Sequence, residues 1–469
     1  MNIPGINEMV PVEDLQKLNE ALRKSTTAGY QTPANLSGAG SLSPLIPQSL
    51  ENVLASATYS MDAIQLWRNM PKVQVGQTVH EYNVIKDHGL DLSPFMAEGG
   101  VPAANKSEYE RKFVKIKYMA ELREITDVAS TINPLVGPNP TALAEETERG
   151  TLRLMQKVER ELWHGDESAN ALGFDGIIKQ ISDDSNSVTD RSGAAVTPEF
   201  LQELLSEVFA APRYGAPDTI YVEPRIHGDL IKQTNDLGRF NTISQSNGSF
   251  TFGAGDLKIM GPYGPISVKA APFLFNSWEA PSNASGSGPA APSVAAVTGN
   301  NAASKFAAAD VQGGDFHYKV VAVSNTTGYS APAQLDTNGD LEGVQPISIA
   351  AGDGNTLTIT PAAAGVDFFR IYRSEAGGAV GSEKLIGQVA ADGTNPVTFV
   401  DLNEQRPGKS SIVMVKHDPS IMRFARLLDF MRRPLAEVKT TRPFLLMLFG
   451  APIVSVPSKC HVIKNVGLS

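Results

Sequence analysis

Apolar positions recur along this chain with two different periods, and the places where the period changes divide it. The longest helical pattern runs from Asn139 to Asp166. Leu143, Thr147, Thr151, Leu154, Val158 and Leu162 return at spacings of three and four and make one narrow stripe. Glu148, Arg149, Arg153, Gln156, Lys157, Glu159 and Arg160 fall on the other face. Asn139 is placed to cap the helix, Pro140 suits its first position, and Glu145 and Glu146 lie near the positive end of its dipole. Gly165 stops it. At ~1.5 Å per residue such a helix is roughly 37 Å long. So thin a stripe predicts a helix that lies along a surface.

Upstream, Pro11 opens a short amphipathic helix with Leu15, Leu18 and Leu22 on its stripe. From Thr26 to Gln48, Gly, Ser and Pro predict an extended arm, followed by a helix from Ser49 to Trp67. Residues 72–125 read as one long β-hairpin. Thr78 to Val84 alternates, and so does Lys112 to Met119, with Val114, Ile116 and Tyr118 on one side. The connection between them holds Gly89, Pro94, Gly99, Gly100 and Pro102. A connection of that length in a compact domain is normally functional, and two strands cannot support it without a partner packed on them.

Downstream, the pattern becomes α/β. A helix is expected after the cap Thr197, with Phe200, Leu204, Leu205 and Val208 inside. A buried strand Thr219–Val222, a helix from Pro224, and strands Asp256–Met260 and Pro265–Ala270 joined by Gly261-Pro262-Tyr263-Gly264 follow. At Pro281 the composition turns to linker, PSNASGSGPAAPSVAAV. Short strand-like runs then come in series: Ser293–Thr298, Asp315–Ser324, Gln345–Ala350, Thr356–Thr360, Val366–Arg373, Lys384–Val389 and Val397–Asp401. Turn clusters between them predict a β-sandwich. After Gly408 the α/β pattern returns, with a strand Ser411–Lys416, a short helix in PSIMRFARLLDFM, and strands Ala436–Thr441, Phe444–Phe449 and Ile453–Val456. A sandwich between two halves of another domain is an insertion.

Composition narrows the function classes. The 469 residues are 42% hydrophobic and 19% charged, which predicts several globular domains. No apolar run is long enough to span a membrane, and the N-terminal residues do not read as a signal peptide. Cys460 stands alone, so no intrachain disulfide is expected and a reducing compartment fits. A net charge of −10 argues against a general nucleic-acid binder. Phosphate loops, zinc-protease motifs, paired CxxC and nucleophile elbows are missing, and no catalytic residue, cofactor or metal is expected. His164, beside Trp163 and Asp166, reads as a polar residue ending a helix. His80 and His88 lack a further ligand nearby. Asp336, Asn338, Asp340 and Glu342 are spaced like a calcium loop without its Gly and read as a hairpin tip. Arg423, Arg426, Arg432, Arg433, Lys439 and Arg442 form a basic segment suited to ion pairs at subunit contacts. Cys460 reads as a small buried hydrophobe.

The long charged helix ending in ELWHGD and followed by GFDGI resembles the spine helix of tailed-bacteriophage major capsid proteins. GAGSLSPLIPQSLENVL resembles the N-terminal arm of that family, and the strand, Pro-Arg, helix passage at 219–233 resembles its axial domain. HYKVVAVSNTTGYSAPA and FFRIYRSEAGG resemble immunoglobulin-like or fibronectin-type modules. The resemblance implies an α+β capsid fold: arm and helix over 1–69, extended loop and peripheral strands over 70–126, and peripheral domain over 127–195 with the spine helix at 139–165. It then places the axial domain at 196–280, an immunoglobulin-like insertion at 281–408 and the axial and peripheral return at 409–469. It implies a structural protein, not an enzyme, that assembles with itself as hexamers and pentamers into the icosahedral head of a double-stranded DNA phage. Virion location after assembly in the host cytoplasm, DNA packaged without sequence-specific binding, and portal, scaffolding and decoration proteins as further partners follow from the same likeness. Leu90, Leu92, Phe95, Leu154, Val158 and Leu162 are the expected assembly contacts, with Leu45 and Ile46 as further apolar residues a monomer cannot bury. Some members cross-link through a hairpin Lys. Lys86 and Lys106 are available, but no partner position can be assigned, so no cross-link is expected. An encapsulin-type shell protein shares the fold, and a polysaccharide-active enzyme with a fibronectin-like accessory module is the alternative from another class.

Overall fold

Two sheets built from residues far apart in the chain flank the long helix. The computed structural model describes residues 61–468 apart from 90–94, 97, 102–103, 132–140, 237–256, 276–279, 282, 312–314, 335–345 and 438. In chain order the first region holds α1 (Leu66–Asn69), β1 (Lys72–Gln74), β2 (Val79–Asp87), β3 (Glu108–Lys115), β4 (Lys117–Thr126), α2 (Asp127–Thr131), α3 (Ala142–His164) and α4 (Ile177–Ser182). The second holds β5 (Val188–Asp190), α5 (Pro198–Phe209), β6 (Thr219–Val222), α6 (Pro224–Asp236), β7 (Lys258–Gly261) and β8 (Gly264–Ala270). Strands then dominate: β9 (Ser293–Asn300), β10 (Asp315–Phe316), β11 (Tyr318–Ser324), β12 (Gly328–Tyr329), β13 (Ala333–Gln334), β14 (Ile347–Ser348), β15 (Asp353–Thr360), β16 (Phe368–Arg373), β17 (Lys384–Ala390) and β18 (Val397–Asp401). The chain returns through β19 (Ser410–Val415), β20 (Met422–Pro434), β21 (Thr441–Val454) and β22 (His461–Val466).

The architecture is mixed α/β. One sheet has the order β1-β20-β21-β4, and a larger one β5-β22-β19-β6-β8-β7. Each joins strands from before residue 281 to strands from after residue 408, as an interrupted domain requires. Between them in sequence, β18-β15-β9 and β12-β11-β16-β17, with β13 also on β11, form two antiparallel sheets. Leu357 and Ile359 of one sheet and Val320, Phe369 and Ile371 of the other belong to a single core cluster, separate from the cores of the two body sheets. The strand runs expected at 293–401 all carry strands at or near those positions.

Helix α3 starts at Ala142, where the Thr141 hydroxyl accepts from the Ala144 N–H at 3.2 Å. Asn139 and Pro140, expected to start it, lie outside the described residues, as do the helix from Pro11 and the arm to Gln48. The helix expected from Ser49 to Trp67 is described only from Met61, where a single 3-10 turn and the four-residue α1 replace it. The apolar face of α3 is wider than the stripe suggests, because Met155 and Trp163 are also buried. The helix therefore packs into a core instead of skimming it. Gly150 marks the closest approach to the sheet: a Cβ there would stand 2.7 Å from Leu446 and 3.1 Å from Arg123.

Three further expectations need correction. PSIMRFARLLDFM is not a helix: residues 422–431 lie in β20. Ile421, Phe424, Ala425 and Leu428 do recur at helical spacing, but irregular register between Arg426 and Leu428 and between Leu428 and Met431 breaks the two-residue alternation of a strand that is nonetheless paired on β21. Ala436–Thr441 is not a strand either. Ala436, Glu437, Lys439 and Thr440 are exposed and join β20 to β21, which Thr441 opens and which is a continuous strand where two were expected. Finally, Val114, Ile116 and Tyr118 do not share a face. Ile116 and Lys117 are both buried where β3 gives way to β4, which reverses the parity and leaves Tyr118 exposed.

Candidate assembly surfaces

The body is closed around α3. Leu154, Val158 and Leu162 are 2%, 1% and 0% exposed and pack with Ile64, Leu66, Trp67 and Phe444. That corrects their expected role: side chains this enclosed within one chain have no surface to offer a neighbour. Glu159, expected on the polar face, is 0% exposed. One carboxylate oxygen accepts the Leu66 N–H at 2.7 Å and the Gln65 N–H at 3.2 Å, and the other accepts the Trp67 N–H at 2.9 Å. It thus satisfies the donors that open α1, which no side chain of their own segment caps. Burial raises its pKa despite these three bonds. A second polar chain fixes the same segment. Asn69 donates to the Tyr221 hydroxyl at 2.9 Å, which meets His417 Nε2 at 3.0 Å, and His417 Nδ1 lies 2.8 Å from Asp218.

The end of α3 explains its sequence motif. A Cβ on Gly165 would stand 2.4 Å from the Phe174 carbonyl, and one on Gly176 would stand 2.6 Å from the Trp163 carbonyl. Only glycines let the 165–176 loop fold back so that the Gly176 N–H reaches the Gly165 carbonyl at 2.9 Å. Lys179 then pairs with both Asp166 and Asp175. His164 is no ordinary helix-end residue: its Nε2 lies 3.1 Å from the Phe273 carbonyl, and burial pulls its pKa down to about 4.

The β2–β3 hairpin has the opposite character. On one face His80, Tyr82 and Val84 oppose Val114, Lys112 and Glu110, and only Tyr82 and Val114 reach a core cluster. On the other face Val79, Ile85, Tyr109 and Phe113 are exposed, interspersed with the exposed Glu81–Arg111 pair. The tip continues this surface, with Phe95 88% and Val101 92% exposed and Met96 exposed beside them. Leu90 and Leu92 lie outside the described residues. Lys86 at the tip is paired with Glu108 at 3.3 Å. Sequence reasoning missed Ile85, Tyr109 and Phe113, although Tyr109 and Phe113, four residues apart around Glu110, Arg111 and Lys112, fall on one face of a strand.

The basic segment divides. Arg426 pairs with Asp429, and Arg442 with Asp127 at 2.8 Å. Arg423 lies over the Tyr82 ring, Arg432 lies over Phe444, and Arg433 and Lys439 sit exposed near the β20–β21 turn. The acidic run at 336–342 lies outside the described residues. Among the described residues no three His, Cys, Asp or Glu side chains gather as a metal site, and His80 stacks near Tyr82. Cys460 is buried, which pushes its thiol pKa up to about 12.

The two-sheet module rests on the body through polar contacts. Asn325 exchanges hydrogen bonds with Asn170 at 3.0 and 3.2 Å, and Lys305 pairs with Asp190 at 3.3 Å. Arg406, held by Asp310, donates to the Ser192 carbonyl at 2.7 Å, and its own N–H reaches Asn465 at 2.9 Å. Between module, α3 and β4 lies an open groove of about 820 Å3. Arg153, Lys157 and Arg160 line it from the helix, Tyr118 from β4, and Asn325 and Arg370 from the module. Burial and the nearby Arg370 pull the Arg160 pKa down to about 9.

Residues 98–302 match the family model described as SU10 major capsid protein. The chain is 24% identical over 471 residues to a protein of Enterococcus phage phiEF24C described as a putative major capsid protein. It is 25% identical over 475 residues to the major capsid protein of Staphylococcus phage K. Each alignment covers 96% of both chains. Among solved structures, a capsid chain of a native GTA particle aligns over 93% of this chain and 99% of its own, with a TM-score of 0.47 and 10% identity. With a capsid family matched across the hairpin tip, the long helix and the first half of the interrupted domain, and with phage capsid proteins aligned almost end to end, the chain is a tailed-phage major capsid protein.

Proposed function

We propose that the chain assembles with itself, as hexamers and pentamers, into the icosahedral shell of a tailed-phage head that encloses double-stranded DNA. Its work is contact and not turnover. The observation that carries this reading is the hairpin: a two-stranded ribbon with exposed Ile85, Phe95, Val101, Tyr109 and Phe113, which one chain leaves in water. Large apolar side chains gathered in the open on one ribbon mark a protein interface. The net charge of −10 fits packaged DNA that is enclosed without being held in a specific sequence. In this reading the body divides as arm (1–69), extended loop (70–126), peripheral domain (127–195), axial domain (196–280) and their return (409–469), and residues 281–408 are an immunoglobulin-like insertion. The family fold supports the parts, and the two sheets with their own core support the insertion.

The test is electron microscopy of the purified chain beside a variant in which Gly89 to Ala104 is replaced by a short Gly-Ser turn. The full chain forms closed shells. The variant keeps its circular dichroism and solubility and forms none. Normal shells from the variant would remove the hairpin from assembly, and a monodisperse small species from the full chain under all assembly conditions would refute the reading.

A further inference from the structure

Among the described residues, four that are not glycine hold left-handed backbone, and three of them converge on one place. Ser192 (φ 51°), Asn403 (φ 62°) and Asn465 (φ 53°) lie where the chain leaves the last strand of the two-sheet module and meets the β5–β22 edge of the six-stranded body sheet. Backbone of this kind persists only where its surroundings over-determine it, and serine adopts it less readily than asparagine. We propose that this joint is a latch. Arg406 and Asn465 set the angle of the module on the body, and releasing them lets the module turn on its linkers as a unit without unfolding.

The bonds form one connected path. In the module core the Arg373 guanidinium donates to Asp401 and to the Asn403 side chain, both at 2.5 Å. The Asn403 amide reaches Asp310 at 3.4 Å, and Asp310 holds the Arg406 guanidinium on both its oxygens. Arg406 then crosses to the body twice. Its side chain donates to the Ser192 carbonyl at 2.7 Å, and its backbone N–H donates to Asn465 Oδ1 at 2.9 Å. Asn465 turns its own amide back, to the Glu404 carbonyl at 2.8 Å and to Asp190 at 3.0 Å. Lys305 of the module pairs with the same Asp190 at 3.3 Å. The fit is close: a Cβ on Gly467 would stand 2.0 Å from the Gly193 carbonyl.

The rest of the joint is loosely closed. Two cavities of about 240 and 260 Å3 lie between module and body and share His164, Ile178, Gln405 and Lys464 in their walls. Faces separated by such gaps forgo packing contacts, so the polar ties carry the hold. The Asn170–Asn325 pair elsewhere in the joint is exposed, and neutral bonds in water contribute little. The segment that enters the module is stitched to the module itself. Ser285 donates its N–H to the Tyr329 carbonyl at 3.0 Å, and its hydroxyl accepts the Tyr329 N–H at 2.8 Å. That segment travels with the module, whose core is its own. The angle is therefore fixed on the exit side, at Arg406.

Spin labels on Glu203→Cys in α5 and Val297→Cys in β9, both exposed, read the angle as a distance distribution. Cys460, the chain's own cysteine, is buried and takes no label. The doubly labelled full chain is mixed with an excess of unlabelled chain, so that distances within one chain dominate. A single narrow distribution is expected. Arg406→Ala should widen it about twofold, while hydrogen exchange in β11, inside the module, stays at the parent's rate. Arg406→Lys keeps a charge opposite Asp310 without the second branch of the guanidinium, and should give an intermediate width; it decides alone where Arg406→Ala is insoluble. Ser192→Gly keeps the accepting carbonyl and removes the strain, so it should stay narrow and melt no lower than the parent. A wide distribution in the parent overturns the proposal. So does an unchanged width in the Arg406 variants, faster exchange in β11 of Arg406→Ala, or widening by Ser192→Gly.

Discussion

The long helix and the long hairpin adjoin in the chain and solve opposite problems. Around α3 even charge is internal: Glu159 is sealed from water and spends both oxygens on the backbone of α1. On the hairpin even apolar side chains are external, and its ion pairs, Lys86–Glu108 and Glu81–Arg111, lie in solvent where they contribute little. The contrast separates two meanings of an exposed or buried position. The body core closes within one chain, and the hairpin leaves its apolar side chains exposed.

The sharpest way to break the contrast is Glu159→Ala. It strands three N–H donors, two of them buried, and should cost about 3–5 kcal/mol, seen as a large fall in the denaturant midpoint or as insoluble protein. A variant of wild-type stability would mean that water or a neighbouring group takes over the donors. Next comes Leu154→Ala, expected to cost about 2–5 kcal/mol by opening a cavity under α3. Arg153→Ala, one residue earlier and exposed, should stay within about 0.5 kcal/mol. Equal losses from the two would place the buried face of the helix wrongly.

A subtler probe is pH. Burial holds both His164 and His461 down to about 4. His461 Nδ1 faces the Arg213 guanidinium at 3.0 Å and so serves as an acceptor, while Nε2 meets the Thr189 hydroxyl at 2.9 Å. An unfolded histidine takes up its proton near pH ~6.5. Between that pH and about 4 the unfolded chain therefore binds protons that the folded chain refuses, and stability falls as pH falls. Below about 4 this contribution levels off. Urea midpoints measured from pH 7 to 4 should decline, and His461→Gln should flatten part of that slope relative to wild type. Parallel slopes would show that His461 is protonated in the folded chain. The smallest effect belongs to the hairpin: Phe113→Ser should move the melting midpoint by no more than about 0.5 kcal/mol allows while lowering shell yield.

What could be read from the sequence was what depends on near neighbours. The alternation in 293–401 marks strands because each lies on a sheet with one wet face, and Thr197, three residues before the N–H it caps, marks a helix start at once. The misreadings share a cause. The 419–431 stretch looked helical because β-bulges shift a strand's inward residues toward a spacing of three and four. Glu159 looked like solvent-facing charge because its partners lie some ninety residues upstream, at Leu66 and Trp67. Its neighbours in sequence say nothing about three donors waiting across the fold. The hairpin's exposure was legible for a complementary reason: nothing in its own sequence could cover it.

The interleaving of the two body sheets also sets a timetable for synthesis. Strand β4 waits more than three hundred residues for its partner β21, and β6 waits about one hundred and ninety for β19. At roughly 5–20 residues per second that wait lasts on the order of ten seconds or more. The module between them needs nothing from either side of it for its core, so it matures while the chain around it is still incomplete. The hairpin is made early, but the sheet that anchors its root through β4 closes late. A newborn chain therefore holds its exposed hairpin before it holds a rigid base, and the last strands to emerge decide when the root of that hairpin is fixed.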